Sequence, residues 1–142
     1  MRIKLKFAAV AFITIMLFAA NTFAADNAEV YFNGVKQPFT VTVYTIDDVQ
    51  MVSMRPVFEL FNYKVEWNNK HRMITTNTSL GKMRLGIGSV FVCLNDYQAY
   101  VLKTYPRIYN GSTMVPIEFA AECTESGIQY NESNNSLVIT SK

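Results

Sequence analysis

The stretch Ser53 to Asn68 reads "SMRPVFELFNYKVEWN", and 63 positions later Pro116 to Asn131 reads "PIEFAAECTESGIQYN". Superposed, Met54 falls on Ile117, Glu59 on Glu122, Val65 on Ile128, Trp67 on Tyr130 and Asn68 on Asn131. A pattern stated twice in 142 residues constrains the fold more than any single motif, because both copies must share one small core. In the first copy Met54, Val57, Phe58 and Phe61 recur at i, i+3, i+4 and i+7, a single helical face. Ile117, Ala120, Ala121 and Thr124 repeat that stripe with smaller side chains. Pro56 and Pro116 fall near the first turn, where a missing N–H costs little. Ser53 is the expected N-cap of the first helix. Asn62 and Gly127 are the expected left-handed terminators of the two helices. Helices of about eight to ten residues are marginal alone, so packing must hold them.

Around each helix the pattern alternates. Val30 and Phe32 precede Asn33-Gly34, a dipeptide that tolerates positive φ at both positions and signals a tight hairpin. "VFVCLNDYQAYVL" repeats the design, with Asn95-Asp96 standing 62 positions on. A one-residue slip between copies belongs in a loop. After the first helix, Val65 and Trp67 alternate with Glu66, Asn68-Asn69 turns, and Met73 to Thr76 returns. The second copy turns near Asn134-Asn135. Between the copies "GKMRLGIGS" supplies one more short strand. The fold class that follows is α+β, mostly antiparallel β-hairpins with one short helix per repeat. Repeat one covers about 29–78 and repeat two about 83–140, as pseudo-symmetric halves of one compact domain. Arg55, Glu59, Trp67, Pro116, Glu122 and Tyr130 are the repeat positions, read as structural, the residues kept by both copies being those that close a core. Glu118 and Glu122, at i, i+4 on the second helix, form a mildly repulsive pair that Arg55 is expected to relieve.

Arg2, Lys4 and Lys6 precede the uncharged run Phe7 to Ala25, a pattern that predicts a secretory signal peptide over 1–24 with cleavage after Ala24. The apolar core is shorter than the roughly 20 residues a membrane span needs. The expected mature chain, 25–142, is extracytoplasmic, with no membrane span. Of 13 basic and 11 acidic residues, three basic ones leave with the signal, so ten face eleven and the mature charge is −1. With no Lys/Arg cluster, nucleic acid is not an expected partner. Two cysteines, Cys93 and Cys123, permit one disulfide in an oxidising compartment. The alternative is a pair of free thiols acting as small hydrophobes.

"MVSMRPVFELFNYKVEWN" and "TMVPIEFAAECTESGIQYN" resemble the two signature stretches of the stalk domain, also called the copper amine oxidase N-terminal domain-like module. Val52, Met54, Arg55, Glu59, Val65, Glu66 and Trp67 carry the first match, and Val115, Pro116, Glu122, Ile128 and Tyr130 the second. "YFNGVKQPF" and "FVCLNDYQAYVL" supply the family's hairpins. Ser53 stands where the family has a proline, Asn62 where it has a glycine, and Glu118 where it has an arginine. The resemblance implies a non-catalytic, extracytoplasmic module of bacterial secreted or cell-surface proteins, without cofactor.

The chemistry-bearing residues agree. A copper amine oxidase proper needs three histidine ligands and a quinone-forming tyrosine, whereas this chain has one histidine, His71, in a polar hairpin. Structural zinc sites are equally out of reach. A Ser-His-Asp arrangement has no G-x-S-x-G to present its serine. Asp47-Asp48 reads as turn chemistry. Glu122 and Glu125, at the second helix end, lack the cleft that paired glycosidase carboxylates need. Binding remains. Tyr97, Tyr100, Tyr105 and Tyr109 cluster in "DYQAYVLKTYPRIYNGS", and tyrosines near loops stack on sugars or anchor interfaces, when they do not simply cover a core. Tyr105, Arg107, Tyr109 and Asn110 form the candidate partner-contact loop. The expected function is a secreted module engaging an extracellular protein or cell-wall glycan. The alternative is a small secreted inhibitor or effector of an extracellular hydrolase, acting through Tyr105 to Ser112.

Overall fold

The computed structural model describes residues 25–142; the expected signal peptide lies on 1–24, outside the described residues. Asp26–Phe32 (β1) and Val35–Ile46 (β2) form a hairpin whose turn, Asn33-Gly34, has φ of 49° and 80°. Asp47-Asp48 reverses the chain in the same left-handed manner, at 49° and 61°, into Val49–Ser53 (β3) and the helix Met54–Leu60 (α1). Val65–Asn68 (β4), Met73–Thr78 (β5) and Gly81–Gly86 (β6) follow, then Phe91–Leu94 (β7) and Tyr97–Val101 (β8). Arg107–Tyr109 (β9) and Ser112–Pro116 (β10) lead into Ile117–Cys123 (α2), Ser126–Asn131 (β11) and Ser136–Ser141 (β12).

These strands make two sheets. Seven run in the order β11-β12-β1-β2-β3-β10-β9 and five in the order β4-β5-β6-β7-β8. Every described pairing is antiparallel except β1 with β12. The mostly antiparallel α+β architecture expected from the sequence is therefore the one observed. The hairpins cross over between the halves of the chain: β12 closes on β1, while β6 joins β5 to β7. One apolar cluster gathers Val30, Val43, Val115 and Ile139 from the larger sheet, Ile74, Met83, Leu85 and Val92 from the smaller, and Phe58 and Phe119 from the helices. Each such side chain stabilises by about 1.5–3 kcal/mol on burial. Tyr44, Ile46, Met51 and Met114 form a second, smaller cluster.

The helices obey the predicted spacing but run seven residues where about eight to ten are expected, and four further points differ. Met54, Val57 and Phe58 are buried, and Phe61 packs edge-on against Phe32 with centroids 5.4 Å apart. In α2, however, Phe119 and Cys123 are buried beside Ile117 and Ala120, so the apolar face is wider than the stripe in α1. Ser53 stands at the N-cap without capping: its Oγ accepts the Thr42 N–H at 3.1 Å, because the side chain is buried in the sheet. Asn62 ends α1 with φ 60°, as expected, but α2 turns left-handed at Glu125 (φ 49°) and Gly127 lies inside β11. Both helices are seven residues long, so the reversal falls at the same distance from each end, whichever residue stands there. Arg55 does not relieve the acidic pair: Lys103 meets Glu118 at 2.7 Å, and Arg55 Nη1 donates to the Val65 carbonyl at 2.7 Å.

Both cysteines are free. Cys93 stands opposite Arg84, on the face of the smaller sheet turned away from Met83, Leu85 and Val92. Cys123 is fully buried on the other side, its Sγ 3.3 Å from Met83 Sδ. Strand alternation thus separates the two thiols, and the bridge that an even cysteine count permits is not made.

Candidate functional site: an aromatic and cationic cleft at Trp67

β4 is the outer strand of the smaller sheet. Trp67 lies opposite Ile74 and shares the inward face with Val65, but nothing roofs the sheet there, and the indole remains 40% exposed. It looks into a cleft of about 780 Å³. One wall is the start of α1, with Arg55 and Pro56; the turn between β4 and β5 supplies Asn69 and Arg72; Ile108 of β9, Gly111 of the following turn, and Ser112 and Thr113 of β10 close the far side. Val65 and Ile74, buried, form part of its floor.

The charge in this cleft is one-sided. Among the described residues, Arg55 and Arg72 are the only ionised ones lining it, and both are cationic. Arg55 is fixed by its bond to the Val65 carbonyl and lies 3.8 Å from Glu59, which is outside the cleft. That leaves most of its five N–H donors free. Arg72 is exposed at φ 49°, and among the described residues no carboxylate lies within ion-pair distance of it.

A second cleft, of about 520 Å³, occupies the corresponding place 63 residues on. Tyr130 stands for Trp67, Glu118 for Arg55, Glu132 for Asn69, Asp48 for Gly111 and Ile128 for Val65. Lys103 is added and pairs with Glu118. Tyr130 is half-buried, donates its hydroxyl to Asn135 Oδ1 at 2.9 Å, and has its pKa raised by burial and then by the charges of Asp26 and Glu132. One cleft therefore holds two arginines and no acid, and the other three carboxylates and one lysine.

The six positions expected from the sequence to be structural divide by burial. Pro116 is buried and Tyr130 half-buried, but Arg55, Glu59, Trp67 and Glu122 are exposed, so four of the six read as structural do not close the core. The alternation rule places Trp67 on the inward face and cannot show that the sheet ends beside it. Asn69 reads in the sequence only as a turn residue, and Arg72 and Ile108 carry no mark there because a turn arginine and a strand isoleucine are common; the available signal was an aromatic two residues before an Asn- and Arg-bearing turn.

Tyr105, Arg107, Tyr109 and Asn110 do not form one loop. Arg107 and Tyr109 belong to β9, an edge of the larger sheet, and only Asn110-Gly111 (φ 46° and 76°) is the turn. Arg107 stacks 4.2 Å over the exposed Tyr105 ring, while Tyr109 packs on Tyr44 at 5.5 Å. Burial pushes the Tyr44 hydroxyl pKa up, and the Arg107 charge opposes this. Alternation turns Ile108, between them, toward the cleft. His71 is exposed, its N–H donating to Asn68 Oδ1 at 3.0 Å. Among the described residues no three His, Cys, Asp or Glu side chains gather as metal ligands. A single histidine does not fit a three-histidine copper centre.

Comparison with curated proteins and with solved structures finds no match. The family model described as the copper amine oxidase N-terminal domain matches residues 31–139, a span that runs from β1 to β12 and takes in both clefts. That domain is a non-catalytic accessory module. The chain belongs to the copper amine oxidase N-terminal domain family.

Proposed function

We propose that the chain is a secreted, non-catalytic stalk-type module that binds a cell-envelope component through the Trp67 cleft. The observation that carries this reading is the exposed Trp67 over a cleft of about 780 Å³ that also holds two arginines, since an aromatic and a few charged donors converging on one concavity is the composition of a ligand site. The equal spacing of β3–α1 and β10–α2 supports a further reading, that the two halves are pseudo-symmetric copies of one plan sharing a core. The copies then differ most where they face solvent, in the charge of their clefts.

Retention on a cell-envelope fraction tests the reading, comparing wild type with Trp67→Ala before and after protease treatment of the envelope. Wild type is expected to be retained and the variant lost. Survival of binding after proteolysis assigns the partner to glycan, and its loss assigns it to protein. Equal retention of both proteins, or of neither, refutes the cleft as the binding surface.

The inhibitor reading has one observation in its favour. β9 is an open strand edge bordering the cleft, and an extended segment of another protein can add to such an edge. Unchanged kinetics of a co-secreted hydrolase in the presence of the protein would exclude it.

A further inference from the structure

We propose that the ligand class of the Trp67 cleft is an anionic sugar polymer, one bearing carboxylate or phosphate on successive units. The inference rests on the binding-module reading and narrows its ligand. Two features of the cleft point the same way. An exposed indole offers an apolar face on which a pyranose ring stacks, and Asn69, Ser112 and Thr113 offer polar atoms around it. Arg55 and Arg72 then stand beside that face with unspent N–H donors, in the planar fork geometry that suits carboxylate and phosphate.

The second cleft shows that the fold does not demand this charge. Its wall residue at the Arg55 position is Glu118, its floor residue Ile128 replaces Val65, and the same strand–helix–hairpin sequence surrounds them. Glu118 cannot make the bond that Arg55 makes to the Val65 carbonyl, and it pairs with Lys103 instead. The Arg55 charge is therefore not demanded by the strand–helix–hairpin plan, and the common sign of Arg55 and Arg72 selects against cationic ligands. An acidic peptide shares the charge but leaves the stacking face unused, which favours the sugar.

Trp67 is the only tryptophan in the chain, so its emission reports this cleft alone. The experiment titrates the protein with tetragalacturonate, a short phosphodiester-linked hexose oligomer, neutral chitotetraose and polyglutamate, following tryptophan fluorescence. Saturable quenching or a blue shift is expected with the galacturonate or the phosphate polymer, and which of the two responds identifies the anion source. Arg72→Gln is expected to weaken that binding about tenfold, Arg72→Lys less, and raising salt is expected to weaken it further. Circular dichroism of each variant establishes that it is folded. Chitotetraose binding as tightly as the charged polymers, or a folded Arg72→Gln protein with unchanged affinity, overturns the anionic assignment. Tighter binding of polyglutamate overturns the sugar. No response to any probe, with envelope retention still dependent on Trp67, overturns the anionic sugar and leaves the binding module standing.

Discussion

Thr76 sits at the centre of β5 with 1% of its surface exposed, and its Oγ1 has no hydrogen-bond partner. Its neighbours across the sheet are Val65 on β4 and Met83 on β6, both buried. A hydroxyl buried without a partner costs about 1–3 kcal/mol, and the methyl that valine puts in its place gains about 0.8 kcal/mol. Thr76→Val is therefore expected to stabilise the protein by about 1.5 kcal/mol, after some of the gain is lost to imperfect fit. The corresponding residue 63 positions on is Ile139, fully buried opposite Ile128, so the backbone already accommodates an aliphatic side chain in this setting. Urea denaturation followed by far-UV circular dichroism measures it. With an m-value of about 1.5 kcal/mol/M, the midpoint moves up by about 1 M and the slope stays constant. The reciprocal comparison, Ile139→Thr against Ile139→Val, isolates the same hydroxyl and should cost about 1–3 kcal/mol. A lower midpoint for Thr76→Val at unchanged slope would refute the reasoning, because it requires a partner that holds the hydroxyl.

Arg55→Ala should cost about 1–2 kcal/mol by the same assay, since it strips the Val65 carbonyl of a charged donor at 2.7 Å. Glu118→Ala, by contrast, should change stability by less than about 0.5 kcal/mol, because its pair with Lys103 is solvent-exposed; a larger loss would show that the pair is not screened. Native protein should take up one equivalent of a thiol reagent at pH 8, at Cys93, and two in denaturant, since Cys123 is buried and burial pushes its thiol pKa up. The sign of the accompanying pH effect is fixed. Below the ordinary thiol value of 9.0, Cys123 is neutral in both states; above it only the unfolded chain ionises, so stability falls as pH rises. The alkaline slope should be shallower in Cys123→Ala.

The turns were legible because their chemistry is local. Asn33-Gly34 and Asn95-Asp96 tolerate positive φ and adopt it, and Asp47-Asp48 does the same. The helix stripes were legible from spacing, apart from Phe119 and Cys123, whose burial follows from the sheet packed behind α2 and not from the period of the helix. Strand partners were less accessible. No local signal says that β12 lies parallel to β1, since the two are at opposite ends of the described chain and meet only because each half completes the other's sheet. The cysteines illustrate the same limit: their count permits a bridge, and only the facing of β7 decides that Cys93 points away from Cys123.

The cleft was hidden for a related reason. Trp67 and Tyr130 are equivalent in sequence, yet a strand's inward face becomes a wall of the core only where another layer covers it. At the end of β4 that layer stops, so one alternation pattern yields the buried Val65 and, two residues later, an indole 40% exposed. What distinguishes the two clefts is then carried by residues that the backbone leaves free. Arg55 and Glu118 occupy the same helical position, and Asn69 and Glu132 the same turn, so the charge of each cleft can change without disturbing Phe58, Met83 or Ile139 beneath. A fold built this way separates its two requirements: the buried apolar residues hold the core, and the exposed rim of each cleft is open to specialisation. Exchanging the rims tests that separation directly. A protein carrying Arg55→Glu and Asn69→Glu should keep a cooperative unfolding transition, less the contribution of the Arg55–Val65 bond, and lose affinity for anionic polymers. If it unfolds instead, the rim is part of the core's support, and core and rim do not have separate roles.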